Sequence, residues 1–458
     1  MISPDSPLLC FAAGALALGF IGTAIWALLR HRLLASVGAI LAASIFAMGL
    51  VGARLNSVNH FYPTWDAILG ADGENYAERN PLPLPARDAF SVANPAYKTN
   101  FSPITDPETL GDSPQGEYLA TEFRGPVSGF SQTVRVWAPT GWQEMHNLQV
   151  LVFLHGYPSA PQRAPQQLDI GRTMTSLIAA GTIPPTIVVF PTTLVPGSEP
   201  TCVDVTGGPA TGTWAVREVP TMIAANFPVS TAATDWTLAG YSYGGYCAGV
   251  LGALAQDTFH QVFLFGGFDS PIYPPLNRPK YADTYRVSTQ FAAAHPFRIY
   301  APVVTRDPDT QELATALSGI AQDQDVLVTP VNNSGGHNWK TVRTELRSAL
   351  KWHGGVAPEK SVSGNYAPPE ASAAAHDSAA DASLVITVVT LSAISCLAVL
   401  AVFRGWRKDT RCSQIAAVIG TVMIPITAAL GALLTGAIAT GVVTAAADLP
   451  ALLNLLGI

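Results

Sequence analysis

The sequence predicts an α/β domain with a mostly parallel sheet, flanked along the chain by two pairs of membrane-spanning helices. Between Gly116 and Gly355, short runs rich in β-branched and aromatic residues alternate with longer helical stretches. That alternation is typical of a parallel sheet covered by helices on both faces. On either side of this region lie two uncharged runs of about 20 residues, the length that crosses a bilayer core of about 30 Å.

The composition agrees with this division and excludes some functions. Charged residues make up 12% of the 458 residues, against about 25% in soluble domains, and the shortfall lies mainly near the two ends of the chain. The formal net charge of −7 argues against a nucleic-acid partner, which needs a clustered basic face. The sequence contains no C-x-x-C or H-E-x-x-H spacing, so we expect neither a metal nor a cofactor. Nothing in the sequence indicates a protein partner.

The four apolar runs also predict an orientation. Pro7–Leu29 and Leu33–Ala53 are joined by a basic turn, and a second basic turn joins residues 384–403 to residues 415–440. Short basic loops stay in the cytoplasm, so the chain between residues 54 and 382 is expected on the opposite side. We therefore expect a multi-pass membrane protein with four helices, contacting membrane lipids, whose central domain is extracytoplasmic.

This organisation divides the chain into six segments. In chain order they are a helix pair (residues 1–54), an irregular wrapping segment (55–115), the α/β domain (116–357), a flexible linker rich in Ala, Ser, Pro and Glu (358–382), a second helix pair (383–440) and an interfacial tail (441–458).

Eight strands are predicted in the domain. The first two form an antiparallel pair at one edge, and the apolar runs that follow are typical of strands buried on both faces. They are Glu117–Phe123, Gln132–Ala138, Leu148–Leu154, Thr186–Phe190, Trp236–Ala239, Gln261–Phe265, Arg298–Val304 and Asp325–Pro330.

The strongest motif follows the fifth of these strands. Gly240-Tyr241-Ser242-Tyr243-Gly244 has the form G-x-S-x-G and precedes a helix rich in Ala and Gly. In this strand–turn–helix context the motif is the nucleophile elbow of the α/β-hydrolase fold, which exposes the serine on a strained turn. Ser242 is therefore the predicted nucleophile, although a simple Gly-rich turn between strand and helix would give the same five letters.

The base and the acid are expected further along the chain, in the order Ser, acid, His. His337 follows two glycines after the last predicted strand and is the predicted base; a surface-loop histidine is the alternative. Asp307 is the first acidic residue after the Arg298–Val304 strand and is the preferred acid. Asp309 and Glu312 remain open as the acid. Any of the three could instead be a helix cap, Asp309 especially, since Glu312 three residues on would complete a capping box.

Two further features are predicted around this triad. The oxyanion hole is expected from the backbone N–H groups of Tyr157 and Tyr243, while His155 is expected to pack beneath it. Cys202 and Cys247 are the two cysteines of the globular domain, and the oxidising compartment permits a disulfide between them. Two buried free thiols are the alternative.

The domain resembles the putative-esterase family that contains esterase D and the antigen 85 mycolyltransferases. The resemblance rests on Val134–Pro139, the His155–Tyr157 loop, the helix that begins at Trp214, Gly240–Gly244 and Gly335–Trp339. It implies ester hydrolysis or acyl transfer through an acyl-serine, with the family's serine and histidine matching Ser242 and His337. It also implies an acyl ester or glycolipid of the cell envelope as substrate.

The sequence departs from the mycolyltransferases around the oxyanion loop. Those enzymes have an acidic residue before the loop glycine and an arginine soon after it that binds trehalose. Here His155 and the run Tyr157-Pro158-Ser159 stand in those places, so the resemblance does not extend to trehalose recognition. Three functions remain in view: an extracytoplasmic esterase or lipase, an acyltransferase with the same triad, and a non-catalytic envelope scaffold.

Overall fold

The computed structural model has two compact units, residues Met1–Leu69 with Ala371–Ile458, and Gly70–Glu370. It describes residues 3–4, 6–59, 65, 79–111, 114–157, 161–192, 201–273, 275–294, 296–304, 307–320, 325–331, 336–357, 362–363 and 411–439. The third predicted span, the tail and all of the predicted linker except Val362–Ser363 lie outside the described residues.

Three described helices of the first unit are long and apolar enough to cross a membrane. Helix α1 spans Pro7–Leu29, as predicted, α2 spans Leu33–Asn59, and the last helix, α12, spans Arg411–Ala439. Ala24, Leu28, Ala39, Ile40 and Ala417 form a small apolar cluster among them. Four spans were predicted, and three are seen among the described residues.

The second unit is built on a mixed sheet with ten strands in its described part. Their spatial order is β1-β2-β3-β5-β4-β6-β7-β8-β9-β10, and the six strands from β4 to β9 run parallel. The strands are Ser102–Pro103 (β1), Glu117–Arg124 (β2), Ser131–Ala138 (β3), Gln149–Leu154 (β4), Thr186–Phe190 (β5), Trp236–Tyr241 (β6), Gln261–Phe265 (β7), Arg298–Val304 (β8), Asp325–Val331 (β9) and Val362–Ser363 (β10).

Helices cover both faces of this sheet. The helices of the second unit are Pro107–Leu110 (α3), Ala164–Gln167 (α4), Ile170–Ala179 (α5), Thr211–Thr213 (α6), Val219–Asn226 (α7), Tyr243–Leu254 (α8), Val287–Ala292 (α9), Pro308–Ser318 (α10) and Trp339–His353 (α11). A π-helical turn, Trp214–Glu218, joins α6 to α7. Short 3₁₀ turns occupy Arg87–Ala89, Pro95–Tyr97, Trp142–Glu144, Pro161–Arg163 and Ala233–Asp235.

Strand alternation produces a core on each face of the sheet. Along β7, Val262 and Leu264 belong to one buried cluster, whereas Phe263 and Phe265 belong to the other. Successive side chains of a strand point to opposite faces, so a strand buried on both faces must be apolar throughout. This is why the continuous apolar runs predicted the central strands closely.

Two segments predicted as irregular take part in this unit. Within the predicted wrapping segment, Asn80 donates its backbone N–H to Thr206 Oγ1 at 2.9 Å, and Pro81 bridges to Val205. Within the predicted linker, Val362–Ser363 pair antiparallel with β9. Both pairings join residues far apart in sequence, which no local pattern signals.

Candidate active site

Ser242 lies on a strained turn between β6 and α8. Its backbone has φ 58° and ψ −122°, a positive-φ conformation that is costly for a residue with a side chain. The Ser242 N–H donates to the Phe265 carbonyl at 2.8 Å, which ties the turn to the neighbouring strand β7. The side chain is partly exposed, as a serine that is to reach a substrate requires.

The two glycines of the motif make this turn possible by close packing. A Cβ atom at Gly240 would stand 1.9 Å from the Gly244 carbonyl oxygen. A Cβ atom at Gly244 would stand 2.2 Å from the Leu154 carbonyl oxygen of β4. Any side chain at either position would therefore push the strand, the turn and the helix apart.

His337 lies beside this serine. Its Nε2 is 2.8 Å from Ser242 Oγ, although 95 residues separate the two in sequence. The imidazole packs against the ring of Tyr241, with ring centroids 5.0 Å apart, and Tyr241 in turn packs against Trp339. The aromatic contacts fix the ring plane, and 26% exposure of the side chain leaves it accessible from the site.

Of the three carboxylates considered from the sequence, the structure brings Asp307 to the histidine. Asp307 Oδ2 is 2.7 Å from His337 Nδ1, and the Asp307 side chain is only 5% exposed. Asp307 precedes helix α10 at its N-cap position but makes no side-chain capping bond, so its carboxylate serves the imidazole instead. Glu312 accepts a hydrogen bond from Ser270 Oγ at 3.1 Å, and Asp309 is exposed.

The predicted oxyanion donors flank the same serine. Tyr243 is the first residue of α8, and amides of the first helical turn point out of the helix's N-terminal end, where negative charge is stabilised. Tyr157 follows Gly156, whose backbone lies against the nucleophile. A Cβ atom at Gly156 would be 3.1 Å from Ser242 Cβ and 3.7 Å from Ser242 Oγ. The oxyanion role of both amides stays a prediction.

Cys202 and Cys247 are joined in a disulfide, with their Cα atoms 5.4 Å apart. Cys247 lies in α8, five residues after Ser242, and Cys202 lies in the loop that follows β5. Two residues further on, Asp204 accepts hydrogen bonds from the Thr213 backbone N–H, at 2.9 Å, and from its hydroxyl. Burial raises the pKa of Asp204. The disulfide thus attaches this loop to the nucleophile helix.

Sequence reasoning missed the segment between β7 and α9. This segment begins at the carboxyl end of β7, next to the carboxyl end of β6 where Ser242 lies. Asp269, fully buried, binds the Arg286 guanidinium at 2.7 Å and accepts the Ser288 N–H at 2.8 Å. Tyr246 of α8 donates its hydroxyl to the Tyr285 carbonyl at 2.9 Å. Asp269 follows the carboxyl end of β7 by four residues, and this position in the sequence could have marked it as a candidate site residue. Nothing in the sequence marks its partner Arg286, 17 residues away.

The fold and this constellation have the arrangement of a serine hydrolase site of the α/β-hydrolase type. Ser242 lies on a strand–turn–helix elbow, and Asp307 and His337 follow it in the chain order of that fold. Residues 128–353, nearly all of the α/β domain, match the sequence model of the family described as putative esterase. This match supports a carboxylic ester hydrolase activity for the domain.

Solved structures similar to this chain include three esterases or serine hydrolases. An S-formylglutathione hydrolase from Agrobacterium tumefaciens is 16% identical over 56% of this chain and 99% of its own, with a TM-score of 0.44. The fluorophosphonate-binding serine hydrolase F of Staphylococcus aureus is 16% identical over 52% and 99%, with a TM-score of 0.43. The enterobactin esterase of Shigella flexneri is 20% identical over 54% and 62%, with a TM-score of 0.39. No curated protein matches the chain.

Proposed function

We propose that the protein is a membrane-anchored, extracytoplasmic serine esterase that cleaves acyl esters of cell-envelope molecules through an acyl-serine intermediate. The hydrogen-bonded series Ser242–His337–Asp307 carries this proposal, with contacts of 2.8 and 2.7 Å. A serine, a histidine and a buried carboxylate in this geometry are what nucleophilic acyl transfer needs.

In the acylation half, Ser242 Oγ attacks the ester carbonyl carbon while His337 Nε2 takes the hydroxyl proton. The carbonyl oxygen becomes an oxyanion that the Tyr157 and Tyr243 amides stabilise. When the C–O bond to the alcohol breaks, His337 returns the proton to the departing alkoxide. Asp307 holds the imidazole with its proton on Nδ1 and stabilises the imidazolium, and it takes no proton itself.

In the deacylation half, His337 removes a proton from a second nucleophile, which attacks the acyl-serine carbonyl. The Ser242 Oγ–acyl bond then breaks, and the serine regains its proton from His337. Water as this nucleophile gives a free acid and makes the protein an esterase. A sugar or lipid hydroxyl would give a new ester and make it an acyltransferase.

The location outside the cytoplasm is supported by two independent features. The turn between α1 and α2 carries Arg30 and Arg32, and short basic turns stay cytoplasmic. The Cys202–Cys247 disulfide belongs to a compartment in which disulfides persist, and most cytosolic proteins lack them. A membrane-attached hydrolase outside the cytoplasm meets envelope lipids and glycolipids as its nearest acyl esters.

A fluorophosphonate probe and a short-chain p-nitrophenyl ester test the catalytic part on the full-length protein. We expect the probe to label the wild type and the Ser270→Ala control, but not Ser242→Ala. Ser242→Ala and His337→Ala should each lose about 10³-fold or more in ester turnover. Labelling and turnover that survive Ser242→Ala would contradict Ser242 as the nucleophile, and a wild type that shows neither would favour a non-catalytic scaffold. Products formed with an added acceptor alcohol distinguish hydrolysis from transfer.

Cysteine accessibility in intact cells tests the location. Single cysteines are introduced at His31, in the turn between α1 and α2, and at Thr344, on the exposed face of α11, in a background without Cys10, Cys396 and Cys412. We expect Thr344→Cys to react with an impermeant maleimide and His31→Cys to react only after the cells are opened. The reverse pattern would contradict the extracytoplasmic location.

A further inference from the structure

His155 is a buried histidine next to the nucleophile that the proposed mechanism does not use. It follows β4 directly and precedes Gly156 and Tyr157, and its side chain is 1% exposed. Both ring nitrogens make hydrogen bonds. Nδ1 is 2.8 Å from the Gly156 carbonyl oxygen, and Nε2 is 3.0 Å from Oγ1 of Thr192, which lies two residues after the neighbouring strand β5.

These partners fix the tautomer of the ring. A carbonyl oxygen can only accept, so Nδ1 must carry a proton and donate to Gly156. The neutral ring then has an acceptor at Nε2, to which the Thr192 hydroxyl donates. Burial lowers the pKa of His155 to about 4, so the imidazole is neutral at the pH where an esterase of this kind works.

The bond to the Gly156 carbonyl has a consequence for the next amide. In a trans peptide the C=O and the following N–H point in opposite directions. The bond from the His155 ring to the Gly156 carbonyl therefore directs the Tyr157 N–H away from the ring, within the same peptide plane. The Gly156 backbone lies against Ser242, since a Cβ atom there would be 3.7 Å from Ser242 Oγ.

We propose that His155, held by Thr192, is a positioning residue that orients the Gly156–Tyr157 peptide so that the Tyr157 N–H points at the developing oxyanion. The inference rests on the esterase activity proposed above. His155 touches no reacting atom and acts only through the peptide that it holds. When the N–H of the His155 ring is removed, the Gly156–Tyr157 peptide loses the hydrogen bond that fixes its orientation. The Tyr157 N–H is then no longer preorganised for the tetrahedral intermediate.

The test compares a ligand of the transition-state type with a ground-state ligand on the full-length protein. An alkyl trifluoromethyl ketone forms a tetrahedral oxyanion adduct with the serine, whereas the matching methyl ketone binds unreacted. We expect His155→Ala to lower kcat/KM for p-nitrophenyl butyrate by about 10- to 100-fold and to weaken the trifluoromethyl ketone by the same factor. The methyl ketone should bind as it does to the wild type.

Two variants separate positioning from mere structural support. His155→Asn keeps an N–H close to the position of Nδ1 and should recover activity to within about fivefold of the wild type. His353→Ala removes a half-buried histidine at the amino ends of the parallel strands, far from Ser242, and should leave kcat/KM and both inhibition constants unchanged. Thr192→Val, nearly isosteric, removes the hydroxyl that holds Nε2 and should lower kcat/KM by about fivefold.

The inference is overturned if His155→Ala weakens both ketones equally or leaves both unchanged. If His155→Ala does not fold, Thr192→Val decides instead, and wild-type kcat/KM in that variant would overturn it. Failure of the esterase proposal itself is distinguishable, because the wild type would then show no ester turnover that depends on Ser242, whatever the His155 variants do.

Discussion

Two histidines lie at the two ends of helix α11. One is beside the carboxyl ends of the parallel strands, and the other is beside their amino ends. His337 lies two residues before the helix begins, and His353 is its last residue. Each ring has both nitrogens in hydrogen bonds of similar length. His337 meets Ser242 at 2.8 Å and Asp307 at 2.7 Å, whereas His353 meets the side-chain amides of Gln149 and Gln261, both at 2.7 Å.

The chemistry of the partners separates the two sites. Burial, together with the nearby Arg298 charge, lowers the pKa of His353 to about 4, so this ring resists protonation. His337 is partly exposed and has a buried carboxylate against Nδ1, which stabilises the imidazolium that a general base must become. Two good hydrogen bonds anchor an imidazole, but only a carboxylate partner and a nucleophile partner equip it for catalysis.

The largest expected effect comes from making His337 resemble His353. Asp307→Asn replaces the carboxylate by an amide of nearly the same shape, so the ring keeps a partner but loses the charge that stabilises imidazolium. We expect ester turnover to fall by about 100-fold or more. The matched variant Asp309→Asn, two residues away and exposed, should stay within about twofold of the wild type. Loss in Asp309→Asn with wild-type turnover in Asp307→Asn would show that the acid is misassigned.

A second difference between the two ends of the parallel strands is the disulfide, which lies at the end where Ser242 is found. In the described residues, the disulfide Cys202–Cys247 closes a loop with a sequence separation of 45. Replacing both cysteines by alanine should lower the free energy of unfolding of the hydrolase domain by roughly 3–4 kcal/mol, mainly by freeing the unfolded chain. Thermal unfolding followed by tryptophan fluorescence measures it, with Cys10→Ala as control. An unchanged Tm in the double variant would mean that the bond contributes nothing.

A smaller effect concerns the helix that joins the two histidines. Tyr300 of β8 donates its hydroxyl to Glu345 of α11 at 2.9 Å, and burial raises the pKa of Glu345 to about 7. A carboxyl whose pKa is raised on folding is favourable when protonated. Its contribution is therefore complete below about pH 4.5 and is lost as the pH rises to about 7, by up to about 3 kcal/mol.

Glu345→Gln should remove this dependence. The difference in Tm between pH 4.5 and pH 8 should be smaller in Glu345→Gln than in the wild type. The control is Glu144→Gln, which changes a carboxylate in a 3₁₀ turn that is not buried. Identical pH profiles for wild type and Glu345→Gln would contradict a protonated Glu345 in the folded protein.

Much of this architecture could be predicted from sequence because it depends on local patterns. Strands buried on both faces must be continuously apolar, and β7 and β8 have the bounds predicted for them. The Ser242 turn has a five-residue motif, and His337 has its place after the last parallel strand. The sequence does not single out the acid, because three carboxylates lie within eight residues after β8 and only the packed loop brings one of them to the imidazole.

What sequence could not supply are contacts between distant residues. Thr192 is 37 residues from His155, and nothing near either residue marks the pair. Arg217, predicted only as part of a helix, binds the Pro85 carbonyl at 3.0 Å and Asp257 at 2.6 Å. It thereby fixes the wrapping segment to the domain. Such pairings arise from tertiary packing, which overrides any local signal.

The most direct test measures how fast Ser242 reacts with a fluorophosphonate in two single variants. It asks whether the hydrogen-bond partners of His337, which His353 lacks, are what make a histidine the base for Ser242. His337→Ala and His353→Ala each remove one doubly hydrogen-bonded imidazole at an end of helix α11, so both lose comparable packing. At a temperature where both variants are folded, we expect Ser242 to be labelled at the wild-type rate in His353→Ala. In His337→Ala we expect no detectable labelling of Ser242. Equal labelling rates in the two variants would contradict the assignment of His337 as the base that activates Ser242.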